Sequence, residues 1–292
     1  MWGQPMITNV LTVDVEEYFH AEVMKRILGP RWSACASRLE ASMAFLLDTL
    51  TATGQRATFF TLGCVAERVP EIVQEIARRG HEVACHGYAH DPVVGMTPEE
   101  FRADVGRATA SIARVTGKTP TGYRAPSFSL SADNTALLRV LVELGFKYDS
   151  STVPTILAGA RPAECPRAPW EAYPGLTEIP LAVASIGAFR VPVAGGIFFR
   201  MMPYSASRYG IRSMNSKGLA ATMYFHPWEF DTGQPRPKGL GLMARIRHYA
   251  GINGNRDKFQ RLCKDFRFQA AEDLLGEMAS RGRPVQAWHV GR

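Results

Sequence analysis

This 292-residue sequence has no C-x-x-C pair, and its five cysteines (Cys35, Cys64, Cys85, Cys165, Cys263) are scattered and odd in number. Both features argue against a disulfide framework and fit a reducing cytosol. No apolar run reaches ~18 residues, so no membrane-spanning helix is expected. The opening Met1-Trp2-Gly3-Gln4-Pro5 lacks a basic region followed by a long apolar one, so no secretory signal is expected either. Internal repeats and low-complexity segments are also missing. What remains is ordinary globular composition, 46% hydrophobic and 21% charged, which excludes a disordered or fibrous chain.

The net charge of +7 is local. Between Arg236 and Arg267, nine basic residues (Arg236, Lys238, Arg245, Arg247, Arg256, Lys258, Arg261, Lys264, Arg267) stand against Asp257 and Asp265 alone, and the remaining chain is balanced. Such a stretch attracts a polyanion or phosphate, or is simply a solvated helical face. No recognised nucleic-acid-binding motif accompanies it, so nucleic acid is not an expected partner.

The first two-thirds of the chain alternates strand and helix signals. Asn9–Val15 reads as a buried strand, and Leu39–Leu50 carries Leu39, Met43, Leu46, Leu47 and Leu50 at helical spacing. Ala57–Leu62 and Glu82–Cys85 read as strands, with Pro70–Arg79 as a helix between them. Thr97-Pro98-Glu99-Glu100 combines an N-cap, a first-turn proline and two acids, opening a helix that ends near Gly117. Ser131–Leu144 predicts another helix, followed by a short strand Phe146–Tyr148. Leu176–Pro180 and Ala221–Phe225 read as strands, with Pro203–Lys217 helical between them. A weak helix at Gln269–Ser280 and a strand around Val285–Trp288 close the chain. Repeated β-then-α units imply a parallel sheet, open or closed into a barrel. We read one domain over 1–292, with a core at about 9–230 and a basic C-terminal extension packed on it at about 231–292.

Chemistry concentrates at strand ends. In Thr12-Val13-Asp14-Val15-Glu16-Glu17, Asp14 and Glu16 are two apart and share one face of a strand. Paired carboxylates resist joint ionisation, so one is expected to bind a cation and the other to act as a base. His86-Gly87-Tyr88-Ala89-His90 follows the strand Glu82–Cys85, and two histidines so placed can converge on one metal. With Glu16 they form a two-His-one-carboxylate triad that leaves positions open for water and substrate. Phe225-His226-Pro227-Trp228 again follows a strand and presents a candidate general acid. Gly122-Tyr123-Arg124-Ala125-Pro126-Ser127 offers a guanidinium able to hold a carboxylate.

The order D-x-E, H-x-x-x-H, R-x-P-S, H-P resembles the NodB-homology polysaccharide deacetylases, a family of carbohydrate esterases, over about residues 9–270. Asp14-Val15-Glu16-Glu17-Tyr18-Phe19 and Phe225-His226-Pro227-Trp228-Glu229 are most similar to the branch encoded with exopolysaccharide and PEP-CTERM export loci. The resemblance implies an α/β fold, a distorted (β/α) barrel with fewer than eight regular strands. It implies Asp14 as general base, Glu16, His86 and His90 as ligands of a divalent ion (zinc expected), Arg124 orienting Asp14, and His226 as general acid. The backbone around Ser127 would help hold the oxyanion, and Tyr18 and Trp228 would meet substrate. Many family members have adjacent aspartates, T-F-D-D-G, where this chain has its second acid one residue later, as glutamate. A carboxylate tuning the acid histidine is expected too, with Glu178 and Asp149 as candidates.

The implied activity is removal of N-acetyl groups from an N-acetylhexosamine glycan. A cyclic-amide or ureide hydrolase and a glycan-binding scaffold are the alternatives. For a cytoplasmic enzyme the expected partner is an N-acetylated glycan or lipid-linked oligosaccharide at the inner face of the membrane. The segment 236–267 would then attract a diphosphate or the anionic leaflet.

Overall fold

In a computed structural model, residues 7–155, 165–186, 189–281 and 286–287 are described. Among the described residues twelve strands run in chain order: β1 (Asn9–Val15), β2 (Thr58–Thr61), β3 (Glu82–Cys85), β4 (Gly122–Tyr123), β5 (Tyr148–Asp149), β6 (Trp170–Tyr173), β7 (Leu176–Glu178), β8 (Val183–Ile186), β9 (Phe189–Pro192), β10 (Thr222–Phe225), β11 (Phe268–Gln269) and β12 (Gln286–Ala287). The main sheet has the order β10-β1-β2-β3-β4-β5-β7-β6-β12, with β11 pairing the start of β1. Its ladders from β10 through β7 are parallel, and β6 against β7 is antiparallel. Among the described residues no ladder joins β10 to β12, so the sheet curls as a half-barrel without closing. β8 and β9 form a separate hairpin.

The helices are α1 (Glu22–Leu28), α2 (Leu39–Thr53), α3 (Gly63–Arg68), α4 (Pro70–Arg78), α5 (Pro98–Thr116), α6 (Thr135–Glu143), α7 (Gly196–Met201), α8 (Tyr204–Asn215), α9 (Leu242–Tyr249), α10 (Asn255–Asp265) and α11 (Ala271–Ser280). No described helix is long and apolar enough to cross a membrane. α5 starts and stops where its cap residues require. Thr97 accepts from the Glu100 N–H, Glu100 returns a bond to the Thr97 N–H, and Gly117 closes the helix in the left-handed region at φ 71°.

Several boundaries differ from the sequence expectation, among them the strand read at Phe146–Tyr148, which is β5 at Tyr148–Asp149. α6 begins at Thr135 rather than Ser131, because the Asn134 side chain caps it by accepting from the Leu137 N–H. Gln269 belongs to β11 and pairs with Val10, so the last helix starts at Ala271. Of the strand expected around Val285–Trp288, only Gln286–Ala287 is described, and Val285 and Trp288 lie outside the described residues.

β1 is buried along its whole length, as a central parallel strand covered on both faces must be. Its two faces nevertheless have different neighbours. Leu11, Val13 and Val15 join the large core under α2, α8 and α10, with Leu46, Leu50, Ile211, Phe225, Phe259 and Leu262. Val10 points the other way, into a smaller cluster with Phe60, Ala84, Tyr148 and Ile179. Strand parity carries Thr12 and Asp14 to the same inner face as Val10.

Candidate metal centre

Because β10, β1, β2, β3 and β4 are parallel neighbours in register, their C-terminal ends share one rim. That is the usual place for a site in such a sheet. Asp14 and Glu16 close β1, His86 follows Cys85 of β3, Arg124 follows Tyr123 of β4, and His226 follows Phe225 of β10. Backbone pairing locks the middle of the set, since Arg124 N–H donates to the Cys85 carbonyl (3.0 Å).

Glu16 is the hub, almost completely buried. Its Oε2 lies 2.8 Å from His90 Nε2, and its Oε1 accepts from the Trp228 indole N–H at 3.1 Å and stands 3.3 Å from His226 Nε2. Burial opposes a charge here. His90, His226 and His86 outweigh it and hold the carboxyl well below its ordinary range. Glu17 turns the opposite way, and its carboxylate accepts from the Arg38 N–H (3.0 and 3.2 Å). The alternation of an extended backbone explains why the second acid of this site is Glu16 and not the residue beside Asp14.

The histidine pair is arranged for ligation. His86 Nδ1 is 2.8 Å from the Arg124 carbonyl, which can only accept, so Nδ1 carries the proton and Nε2 keeps its lone pair. Burial, against the pull of Asp14 and Glu16, pushes His86 down to about 4, so the ring is neutral. His90 sits at φ 60°, a costly conformation for a residue with a side chain. Lys25 of α1 braces it by donating to the Ala89 carbonyl (2.6 Å), the His90 carbonyl (3.2 Å) and Asp91 (2.8 Å). Ligand atoms of Glu16, His86 and His90 all lie within 4.8 Å of one another. Glu16 Oε2 is buried, with His90 Nε2 2.8 Å from it. A buried carboxylate oxygen facing two imidazoles suits a divalent cation, and so does the donor set.

Asp14 is held by a guanidinium that is fully buried. Arg124 donates through Nη1 to Asp14 Oδ1 (2.6 Å) and Thr12 Oγ1 (2.7 Å), through Nε to the Ser150 carbonyl (2.9 Å) and through Nη2 to Ser150 Oγ (2.9 Å). Its face lies 4.1 Å from the Phe60 ring centroid. Asp14 Oδ2 points towards His226 Nε2 at 3.9 Å.

The carboxylate against His226 is Glu229, not Asp149 or Glu178. Glu229 Oε2 is 3.4 Å from His226 Nδ1 and accepts the His226 backbone N–H at 3.1 Å. Its Oε1 accepts from Arg200 Nε (2.8 Å), and Arg200 spends its other donors on the carbonyls of Arg247, His248 and Ala250 at the end of α9. Asp149 and Glu178 instead neighbour each other, taking bonds from Ser151 and from the Thr152 N–H. The sequence reading missed both Glu229 and Arg200. A signal for Glu229 was present: it stands three residues after His226, in the position that closes a capping turn.

The three expected substrate contacts have different surroundings. Trp228 lies ring to ring with His226 (5.1 Å) and with His248 (4.5 Å), so it is built into the frame of the site as a positioning group for Glu16. Tyr18 is only 6% exposed. Ser127 is exposed, and with Phe128 it forms two successive left-handed residues, φ 54° and 55°, immediately beyond Arg124. Strain of this kind persists where surrounding structure dictates it.

Burial opposes a proton on His226, but Glu16, Glu229 and Asp14 prevail and raise it to about 9. An unfolded histidine titrates near 6.5. The charge on His226 therefore stabilises the metal-free fold fully below about pH 6.5, and this contribution is lost as pH rises through about 9. Urea midpoints of metal-free protein should fall across that window, and His226→Gln should flatten the fall. An unaltered profile in the variant would exclude His226 as its source.

Residues 36–148 match the family model described as Polysaccharide deacetylase, and residues 150–276 match one described as Domain of unknown function (DUF3473). The first span holds His86, His90 and Arg124, the second His226 and Glu229, and Asp14 and Glu16 precede both. The chain is 38% identical over 95 residues to a peptidoglycan deacetylase of Helicobacter pylori, covering 32% of this chain and 31% of that one. It is 35% identical over 81 residues to a peptidoglycan-N-acetylglucosamine deacetylase of Bacillus cereus, covering 28% and 30%. The chain thus matches about a third of the length of these relatives. Among solved structures, a candidate polysaccharide deacetylase of Mycobacterium smegmatis has the same fold, with a TM-score of 0.65 at 21% identity over 99% of this chain and 96% of that one.

Proposed function

Residues 36–148 match the polysaccharide deacetylase family, and on that premise we propose that this chain is a metal-dependent hydrolase that removes N-acetyl groups from an N-acetylhexosamine glycan. The observation that carries the reading is the buried Glu16 carboxylate, set among His86, His90 and His226 with the ligand atoms of Glu16, His86 and His90 converging on one point. Glu16, His86 and His90 would hold the ion, with zinc the expected metal. When bound, it would acidify water and polarise the amide carbonyl.

The chain's own groups do the rest. Arg124 fixes one oxygen of Asp14, and the other, towards His226, takes the proton of the attacking water. The backbone at Ser127, held by the strained turn, helps hold the developing oxyanion. His226, with the Glu229 carboxylate beside its Nδ1, gives its proton to the leaving amine. Acetate and a free amino sugar result. Five free thiols fit a reducing, cytoplasmic setting, and the resemblance of the D-V-E-E-Y-F and F-H-P-W-E segments to the exopolysaccharide-locus branch favours an exopolysaccharide intermediate as substrate.

The test is acetate release from a panel of N-acetylated oligosaccharides and lipid-linked sugars. Turnover confined to cyclic amides or ureides would replace this reading. The metal assignment has its own check. His86→Ala and His90→Ala are each expected to lose about one ion per chain by elemental analysis, and unchanged stoichiometry in both would exclude the triad.

A further inference from the structure

The basic segment does not form one charged face. Lys258 Nζ is tied to the carbonyls of Phe199, Arg200 and Met202, Arg256 donates to the Phe230 carbonyl and covers Phe45, and Arg261 covers Tyr204. These cations fasten α10 to the core. The part left facing solvent is α9 and its approach, where Arg236, Lys238, Arg245 and Arg247 are exposed. From Thr232 to Arg256 there is no aspartate or glutamate.

α9 also exposes apolar surface that the molecule does not cover. Leu242 is 73% exposed, Met243 76% and Ile246 39%. At 3.6 residues per turn these three occupy an arc of about 100°, with Arg245 on one flank and Arg247 on the other. Met201 and Met202, both about half exposed, directly follow Arg200, whose guanidinium grips the end of α9. The inner side of the helix is committed: His248 is buried against Trp228 and lies 2.7 Å from Gln234 Oε1.

We infer that the outer face of α9 is an interfacial membrane-docking surface, with Leu242, Met243 and Ile246 entering the acyl boundary and Arg245 and Arg247 meeting anionic headgroups. An apolar arc bordered by arginines is the pattern of a helix lying in the plane of a bilayer surface. A two-fold contact between copies of this chain would set these arginines against their own counterparts, with no acid nearby to offset them. The inference is independent of the hydrolase reading, since docking is measured without turnover. Its consequence for that reading is geometric: the helix that docks is the one stacked on Trp228, so the catalytic rim lies beside the bilayer.

The test is co-sedimentation of the full chain with phosphatidylcholine vesicles, with and without phosphatidylglycerol, at low and high salt. Salt-sensitive binding to the anionic vesicles is expected. Arg245→Gln with Arg247→Gln should weaken it on the order of thirtyfold, the scale of two arginines at an anionic surface. Replacing Leu242, Met243 and Ile246 with serine should also weaken it, roughly tenfold or more, with the thermal midpoint unchanged because these side chains are exposed. Met243→Trp should show blue-shifted emission on anionic vesicles only. Equal binding to neutral vesicles, binding indifferent to both sets of substitutions, or a solution dimer that the serine variant dissociates would each overturn the inference.

Discussion

Asp14→Asn should bring acetate release down by at least ~10²–10⁴-fold, the scale of a lost general base, while the bound ion stays in place. Asparagine keeps an oxygen for the Arg124 Nη1 donor that Asp14 now satisfies at 2.6 Å, so the local fold should survive. What it lacks is the second carboxylate oxygen, the one turned towards His226. The variant thus separates proton transfer from architecture. His226→Ala should also keep the ion and slow expulsion of the amine by a comparable factor. Turnover and metal content measured on the same samples decide the matter, and near-full activity in Asp14→Asn would remove Asp14 from the role of base.

Arg124→Ala should cost far more stability than either of those changes, about 3–5 kcal/mol, the usual loss when one partner of a buried ion pair is removed. Four acceptors now depend on this guanidinium: the Asp14 carboxylate, the Thr12 and Ser150 hydroxyls and the Ser150 carbonyl. Alanine would leave all four buried, the carboxylate without its cation. Against a typical total of 5–15 kcal/mol, such a loss threatens the fold itself. Arg124→Lys should recover only part, because an ammonium cannot reproduce the forked geometry. Urea denaturation of the three proteins reads the difference directly, and an alanine variant within ~1 kcal/mol of the parent would refute the account.

How much of this was legible in the sequence depended on local chemistry. α5 could be bounded almost to the residue because Thr97, Glu100 and Gly117 announce their caps. The parity of Asp14 and Glu16 was equally plain, being a property of any extended backbone. By contrast, the apolar arc of α9 and the Phe259, Leu262, Cys263 stripe of α10 are short and set among many cations. Their cations partly serve carbonyls and rings of distant elements, which no local pattern reports. Between β6 and β9 only β7 was read, at Leu176–Pro180, in a stretch where prolines are frequent. The partner of His226 was missed for a different reason: Glu178 and Asp149 are buried strand acids and therefore conspicuous, yet they face each other, whereas Glu229 was read only as the end of a motif.

The position of β1 between β2 and β10 has a consequence during synthesis. β10 begins more than two hundred residues after β1 and supplies the ladder that holds His226 beside Asp14 and Glu16. A ribosome-bound chain therefore displays β1 with one edge unpaired until Thr222–Phe225 has been made. Such long-range pairing slows folding and leaves an exposed edge open to aggregation. A nascent chain arrested before Thr222 could present His86 and His90 but not His226, so the site is completed only late.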